Sequence, residues 1–143
     1  MLSKFILASI ILSLGNNPRH NPVLNDKNRL IKISKVFANT IEENKELNKF
    51  IGPAKKYAAA TLFVATVLRE SGFRKSVQVC KVKGDQGRSI SLFQLMKPWA
   101  FKVKVYDKNG RPKWINKYTE KQICSSLKLQ SHRFFYLHSY IQT

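Results

Sequence analysis

The sequence predicts a mainly helical α+β fold with one small β-hairpin. Apolar residues recur at helical spacing in three separate stretches of the chain. Between the second and third stretches, residues 101–115 alternate in character around an Asn109-Gly110 step, which is a strong hairpin turn signal. With 143 residues, the chain is long enough for one domain with a substantial core, and a monomer is expected.

The first 15 residues predict a cleaved signal peptide. A short basic start precedes about ten apolar residues, and small residues stand at Ser13 and Gly15, where cleavage is expected. The run is too short to span a bilayer. The alternative is an N-terminal helix that packs on the domain. We expect export to the periplasm or the extracellular space.

Residues 16–52 predict an N-terminal arm followed by one or two amphipathic helices. The stretch 16–28 is rich in Asn and Pro, which is typical of a loop. The residues with helical spacing are Leu30, Ile33, Phe37 and Ile41, and the pattern continues with Leu47, Phe50 and Ile51.

A domain covering residues 53–143 follows. Pro53 suits the first helical position of a long apolar helix that stops at Gly72. Residues 74–88 predict a loop, and residues 89–96 predict a short helix or an extended stretch.

After the hairpin, Thr119 begins a second helical region, with Gln122 in the position that a capping box requires. Its apolar side consists of Ile123, Leu127, Phe134, Phe135, Leu137 and Ile141.

Cys80 and Cys124 form one disulfide if the protein is exported, or remain two buried thiols. The histidines lie far from any cysteine pair, so the sequence implies no metal and no cofactor.

Glu70 is the acidic residue that the sequence singles out. It ends the most apolar run of a chain that has 26 Lys plus Arg and only 8 Asp plus Glu. Burial disfavours a charged carboxylate, so a Glu at the end of a core helix can act as a general acid. The alternative is that Glu70 turns outward beside Arg69. Most other acidic residues lie in polar stretches or turns, but Asp85 stands between glycines before an apolar segment.

The spacing of these residues resembles that of lysozyme-like lytic transglycosylases and goose-type lysozymes. The matching motifs are Glu70-Ser71-Gly72-Phe73, Gly84-Asp85-Gln86-Gly87 and Leu92-Phe93-Gln94-Leu95-Met96-Lys97-Pro98. In that superfamily a helix ends in Glu-Ser and a loop leads to Gly-Leu-Met-Gln or Gly-Leu-Phe-Gln, and the goose-type branch adds Gly-Asp-x-Gly. The resemblance covers residues 53–100.

Two positions depart from the family pattern. Ser91 replaces the Gly that normally lets the backbone approach the sugar closely. Met96 stands where goose-type enzymes often carry an Asp, which makes the match here closer to the transglycosylases. The family usually continues with further helices carrying a cleft tyrosine, so the resemblance implies a C-terminally shortened lysozyme-like fold.

The resemblance implies cleavage of the bond between N-acetylmuramic acid and N-acetylglucosamine in peptidoglycan glycan strands, with a 1,6-anhydro product. Glu70 is the implied catalytic acid and then base. The implied substrate-binding residues are Ser71, Ser91, Leu92, Phe93 and Gln94, with Leu92 and Phe93 as the cleft floor. Asp85 is a candidate second carboxylate that positions water or stabilises positive charge, or else it bonds its own turn. Trp99 and Phe101 stack on sugars or belong to the core.

The formal net charge of +18 predicts attraction to an anionic wall or membrane surface. No nucleic-acid-binding motif accompanies the charge, so no specific nucleic acid is expected, and a biased genome would also give a Lys- and Asn-rich composition. Two alternatives to the transglycosylase remain open: a goose-type lysozyme that hydrolyses the same bond, and a non-catalytic cationic protein that binds wall or nucleic acid.

Overall fold

The computed structural model describes residues 1–141, apart from the side chain of Ile141, as seven α-helices and two antiparallel strand pairs. The helices are α1 (Leu2–Leu14), α2 (Asn21–Leu24), α3 (Lys27–Glu43), α4 (Lys55–Ser71), α5 (Lys75–Gln78), α6 (Glu120–Ser125) and α7 (Leu127–Ile141). The strand pairs are β1 (Ser89–Ile90) with β2 (Leu95–Met96), and β3 (Lys102–Tyr106) with β4 (Pro112–Asn116). The predicted mainly helical α+β fold is confirmed.

α1 packs against α3 and α4. Residues at four-residue spacing form its buried stripe: Leu2, Ile6, Ile10 and Leu14. Phe5 also meets Tyr57 of α4 edge to face, with 5.0 Å between the ring centroids. This packing matches the alternative of an N-terminal helix on the domain, while signal-peptide cleavage stays a prediction. Within residues 1–141, no helix has the length and apolarity needed to cross a membrane.

The loop expected over residues 16–28 contains helical turns. A 3₁₀ turn spans Pro18–His20, and α2 follows it directly. Pro18 suits the first position of such a turn because it has no N–H to satisfy, and Asn17 caps the turn by accepting from the Arg19 N–H at 3.0 Å.

α3 confirms the helical spacing of its apolar residues, since Leu30, Ile33, Phe37 and Ile41 are all buried. The expected continuation of that pattern is wrong beyond Leu47. Leu47 is buried in a 3₁₀ turn, Lys45–Leu47, but Phe50 and Ile51 are exposed. The chain leaves the core after Leu47 and turns towards α4, so the later apolar residues have no partner face.

α4 starts two residues later than the sequence suggests, because Gly52 and the residues after it form a turn in which the Lys55 N–H bonds the Gly52 carbonyl at 3.3 Å. Its end agrees with the prediction. Gly72 adopts a left-handed conformation (φ 57°) and donates its N–H to the carbonyls of Val67 and Leu68.

The predicted hairpin and capping box are confirmed. Lys104 pairs with Trp114 in the β3–β4 register, and Thr119 and Gln122 make both capping hydrogen bonds at the start of α6. The expected single helix is interrupted at Ser126, whose extended backbone ends α6 and whose hydroxyl accepts from the Leu129 N–H at 3.1 Å. The side chain of Ile141 lies outside the described residues, as do Gln142 and Thr143.

Phe63 of α4 lies at the centre of the core. Its ring lies 5.1–5.7 Å, between centroids, from four others: Phe37 of α3, Phe93 of the β1–β2 turn, and Phe134 and Phe135 of α7. Buried residues from all three segments predicted above belong to this one core.

Candidate active site

Glu70 occupies the last turn of α4. The left-handed Gly72 stops the helix immediately after Glu70 and Ser71, so the chain turns away and leaves the Glu70 side chain at the helix end. A helix C-terminus carries partial negative charge, so α4 itself does not stabilise a carboxylate there. The apolar residues before Glu70 commit the helix to the core, which fixes where its end lies.

The Glu70 carboxylate is partly shielded and is ion-paired. Its side chain is 31 % exposed, and Arg69 binds its Oε1 through Nε at 3.0 Å and Nη2 at 2.8 Å. Arg69 itself is 83 % exposed. The arrangement combines the two interpretations of the sequence, because Glu70 is neither in bulk solvent nor sealed in the core. Over residues 1–141, its hydrogen bonds and ion pairs go to Arg69 alone.

Arg29 of α3 holds the chain that follows Glu70. Its guanidinium donates to the Phe73 carbonyl and to the Gln78 side chain, and it forms an ion pair with Asp26 at 3.2 Å. Burial lowers the pKa of Arg29, and the Asp26 carboxylate opposes that shift. Phe73 is buried with a left-handed backbone (φ 58°). The exit from α4 is therefore tied to α3.

Asp85 lies in a tight turn and binds within it. Asp85 and Gln86 both have left-handed backbones (φ 49° and 58°), and Asp85 Oδ2 accepts a 2.7 Å hydrogen bond from the Ser89 hydroxyl. This is the turn-bonding alternative for Asp85. The Ser89 hydroxyl binds Oδ2 alone, and Asp85 is exposed.

The sequence predicted either a short helix or an extended stretch over residues 89–96. The segment is extended and forms two paired strands closed by a tight turn. Gln94 donates from its backbone N–H at 3.0 Å and its side-chain Nε2 at 2.9 Å to the Ser91 carbonyl. Gln94 Oε1 lies so close to Gly84 that a Cβ there would be 1.9 Å away. Gly84 therefore lets the Asp85 loop pack on the Gln94 side chain.

Ser91 combines strain with an unsatisfied group. Its backbone is left-handed (φ 72°), and its side chain is buried. Among the described residues, its hydroxyl has no hydrogen-bond partner. The Gly expected at this position by resemblance would remove both features. Ser91 is thus a costly residue at the tip of the motif.

Four of the five predicted substrate-binding side chains are buried, Ser91 among them. Leu92 and Phe93 are buried, and the Phe93 ring stacks on Phe134 at 4.5 Å between centroids. The Ser71 hydroxyl is buried and donates to the Val67 carbonyl of its own helix at 3.0 Å. Leu92 and Phe93 anchor the turn from behind rather than presenting a floor, so Gln94 is the half-buried member of the motif.

Gln130 of α7 was not singled out by the sequence, yet it connects the parts of the motif. Buried, it accepts from the Leu92 N–H at 3.4 Å and donates to the carbonyls of Gln78 (2.8 Å) and Ile123 (3.0 Å). An amide on the otherwise apolar face of α7 was the available signal.

A disulfide and an ion pair attach the loop of residues 74–88 to α6. Cys80 and Cys124 form a disulfide, which resolves the two alternatives for these residues. Glu120 accepts from Lys83 at 2.6 Å and Lys97 at 2.7 Å, and these hydrogen bonds lower its pKa. The loop before the motif and the strand after it are thereby attached to one helix.

Within residues 1–141, no group of three or more His, Cys, Asp or Glu side chains is arranged to hold a metal ion. The described part of the chain has five surface cavities whose lining residues include neither Glu70 nor Gln94. Comparison of the chain with protein-family models, curated proteins and solved structures finds no match. The family resemblance therefore rests on the motif residues themselves.

Proposed function

We propose that the protein is a peptidoglycan lytic transglycosylase in which Glu70 is the catalytic residue. The observation that supports this most is the placement of Glu70: a partly shielded carboxylate at the abrupt end of a core helix, followed by an exit that Arg29 ties down. The resembled family uses a Glu in this place and in this sequence context.

In the proposed reaction Arg69 swings away from Glu70, and the carboxylic acid form of Glu70 gives its proton to the glycosidic oxygen as the bond to the anomeric carbon breaks. The carboxylate then accepts the proton of the muramic acid 6-hydroxyl, whose oxygen attacks the anomeric carbon and closes the 1,6-anhydro ring. Protons balance, because Glu70 ends as it began. The nucleophile belongs to the substrate, so no entropic cost of capturing a water arises.

The contacts of Glu70 suit a single-acid mechanism. Both Arg69 donors bind Oε1, so among the described residues Oε2 has no partner and can face a substrate oxygen. The exposed Arg69 side chain can swing away without disturbing the core. Met96 stands where goose-type enzymes often carry an Asp, which favours intramolecular attack over the hydrolysis carried out by goose-type lysozymes.

The test is digestion of purified peptidoglycan by wild type, Glu70→Gln and the control Glu42→Gln, an exposed residue of α3. We expect Glu70→Gln to lose roughly 10²–10⁴-fold in rate, which is the usual range for general acid–base catalysis. The control keeps wild-type activity. Equal digestion by wild type and Glu70→Gln contradicts the proposal. Anhydro-muropeptides indicate transglycosylation, whereas reducing ends indicate hydrolysis.

A further inference from the structure

An aromatic cavity lies between the β3–β4 hairpin and α7. It has a volume of about 260 Å³ and is lined by Trp99, Trp114, Leu137 and Tyr140. Ligand sites are typically concave and mostly apolar, and those for drug-sized molecules start at ~300 Å³. A cavity of this size suits one monosaccharide unit.

The walls of the cavity meet at right angles. Trp99 and Trp114 are inclined at 81° with 5.5 Å between centroids, and Trp114 and Tyr140 at 80° with 5.9 Å. Bases of single-stranded nucleic acid stack in succession on aromatic faces. A corner of perpendicular rings suits instead a saturated ring, whose C–H groups cover its faces and edges. The rings line a concavity, which also differs from aromatic residues that project into a membrane interface.

Two ammonium groups lie over rings that line the same cavity. Lys102 Nζ lies 5.3 Å from the Trp99 ring centroid, and Lys104 Nζ lies 5.5 Å from that of Tyr140. The strand register places both lysines on the hairpin face that carries Trp114. The acidic residue of the hairpin turn, Asp107, is engaged with Arg111 at 3.2 Å. The charge at the cavity is thus positive and matches an anionic group on the occupant.

We propose that this cavity binds one carboxylate-bearing amino-sugar unit of a glycan strand. The pyranose packs in the corner between Trp99 and Trp114, and its carboxylate faces Lys102 and Lys104. The choice of a peptidoglycan sugar rests on the function proposed above. The cavity and the end of α4 are built from different residues, so glycan binding here does not require Glu70.

Binding is measured in the Glu70→Gln variant, which leaves the polymer intact. The probes are insoluble peptidoglycan in a sedimentation assay and soluble disaccharide-peptide fragments in a fluorescence titration. The chain has 2 Trp and both line the cavity, so tryptophan emission reports this site. We expect Trp114→Ala and Trp99→Ala each to weaken binding about tenfold or more, as removal of a central aromatic contact does.

Several comparisons keep the result specific. Trp114→Phe retains an aromatic wall and should bind within a fewfold of the parent, and Phe50→Ala, an exposed aromatic outside the cavity, should bind unchanged. Lys102→Gln should lose the preference for acidic fragments over neutral chitin oligosaccharides. Thermal melting identifies a variant that fails to fold, and the half-exposed Trp99 then supplies the decisive variant.

Unchanged binding by both folded tryptophan variants overturns the inference. So does preferential binding of anionic vesicles or single-stranded DNA through the same tryptophans, because the occupant would then be a lipid surface or a nucleic acid. Failure of the catalytic proposal gives a different result: wild type and Glu70→Gln would digest peptidoglycan equally or not at all, while tryptophan-dependent binding of the soluble fragments persisted.

Discussion

Two regions of the molecule are built in contrasting ways. One runs from the end of α4 through the two turns that follow it, and the other is the hairpin cavity. Six non-glycine residues among those described have left-handed backbones, and all of them lie between residues 73 and 94: Phe73, Cys80, Asp85, Gln86, Ser91 and Gln94. The hairpin has a regular five-pair register, and its positive φ falls on Gly110. The first region depends on strained turns, and the second on aromatic rings packed edge to face.

This difference parallels the two roles proposed above. Strained non-glycine backbone costs on the order of 1–3 kcal/mol per residue and persists only where the surroundings hold it, which often happens at catalytic sites. Arg29, Gln130 and the disulfide hold the strained region here. The hairpin region instead offers broad apolar walls with cations beside them, which is what binding requires. This contrast is consistent with the catalytic role proposed for the first region and the glycan binding proposed for the second.

Removing the contact that holds the hairpin region to α7 should have the largest effect on the free energy of unfolding. Arg133 of α7 is fully buried and donates to the carbonyls of Trp99, Ala100 and Lys102. Arg133→Met should lower the free energy of unfolding by about 2–4 kcal/mol, because buried carbonyls lose their donors. Urea unfolding followed by tryptophan fluorescence checks this.

The matched control is Arg19→Met, which removes an exposed arginine. If Arg133→Met unfolds at the same urea concentration as wild type, the guanidinium does not hold the hairpin to α7. Burial lowers the pKa of Arg133, and the Tyr118 and Tyr136 rings flank it at 5.0 and 4.8 Å.

Relieving strain in the first region should have a smaller effect of opposite sign. Ser91→Gly should raise the free energy of unfolding by about 1–2 kcal/mol, because it removes a left-handed side-chain conformation and a buried unpaired hydroxyl. Thermal and urea unfolding measure the gain.

Ser91→Ala separates the two causes, since alanine removes the hydroxyl but keeps the strained backbone. Its stability should fall between those of wild type and Ser91→Gly. A Ser91→Gly protein less stable than Ser91→Ala would show that backbone strain at this turn is not significant.

The smallest effect concerns pH and the helix that both regions share. Burial lowers the pKa of His132 and of His138 in α7 below the ordinary value of 6.5. The unfolded chain therefore binds these protons first as the pH falls, and stability present above pH 6.5 is lost as the pH drops through the lower folded values. Positive neighbours of His132 add to its shift, while Glu46 opposes it.

Melting temperatures measured from pH 7.5 to pH 5 check this dependence. The double variant His132→Gln/His138→Gln should flatten the curve in that window. Lys83 and Lys97 lower the pKa of Glu120, so this residue changes the stability only below its ordinary value of 4.5. Its contribution is therefore separated by pH from that of the histidines. An unchanged slope in the double variant would assign the acid sensitivity to other groups.

The sequence predicted those features that depend on neighbouring residues. Gly72 ends α4 because a left-handed cap suits glycine, and Thr119 with Gln122 start α6 through contacts three residues apart. It did not predict the interruption at Ser126, nor the exposure of Phe50 and Ile51, because periodicity does not reveal where the partner surface ends.

What the sequence determined by itself is the mainly helical fold, the hairpin and the place of Glu70 at a helix end, because spacing, caps and turn residues act over a few positions. Only the tertiary structure decided that Leu92 and Phe93 face the core, and that Trp99 and Trp114 form one cavity with α7. These outcomes depend on packing between segments distant in the chain, which local patterns do not encode.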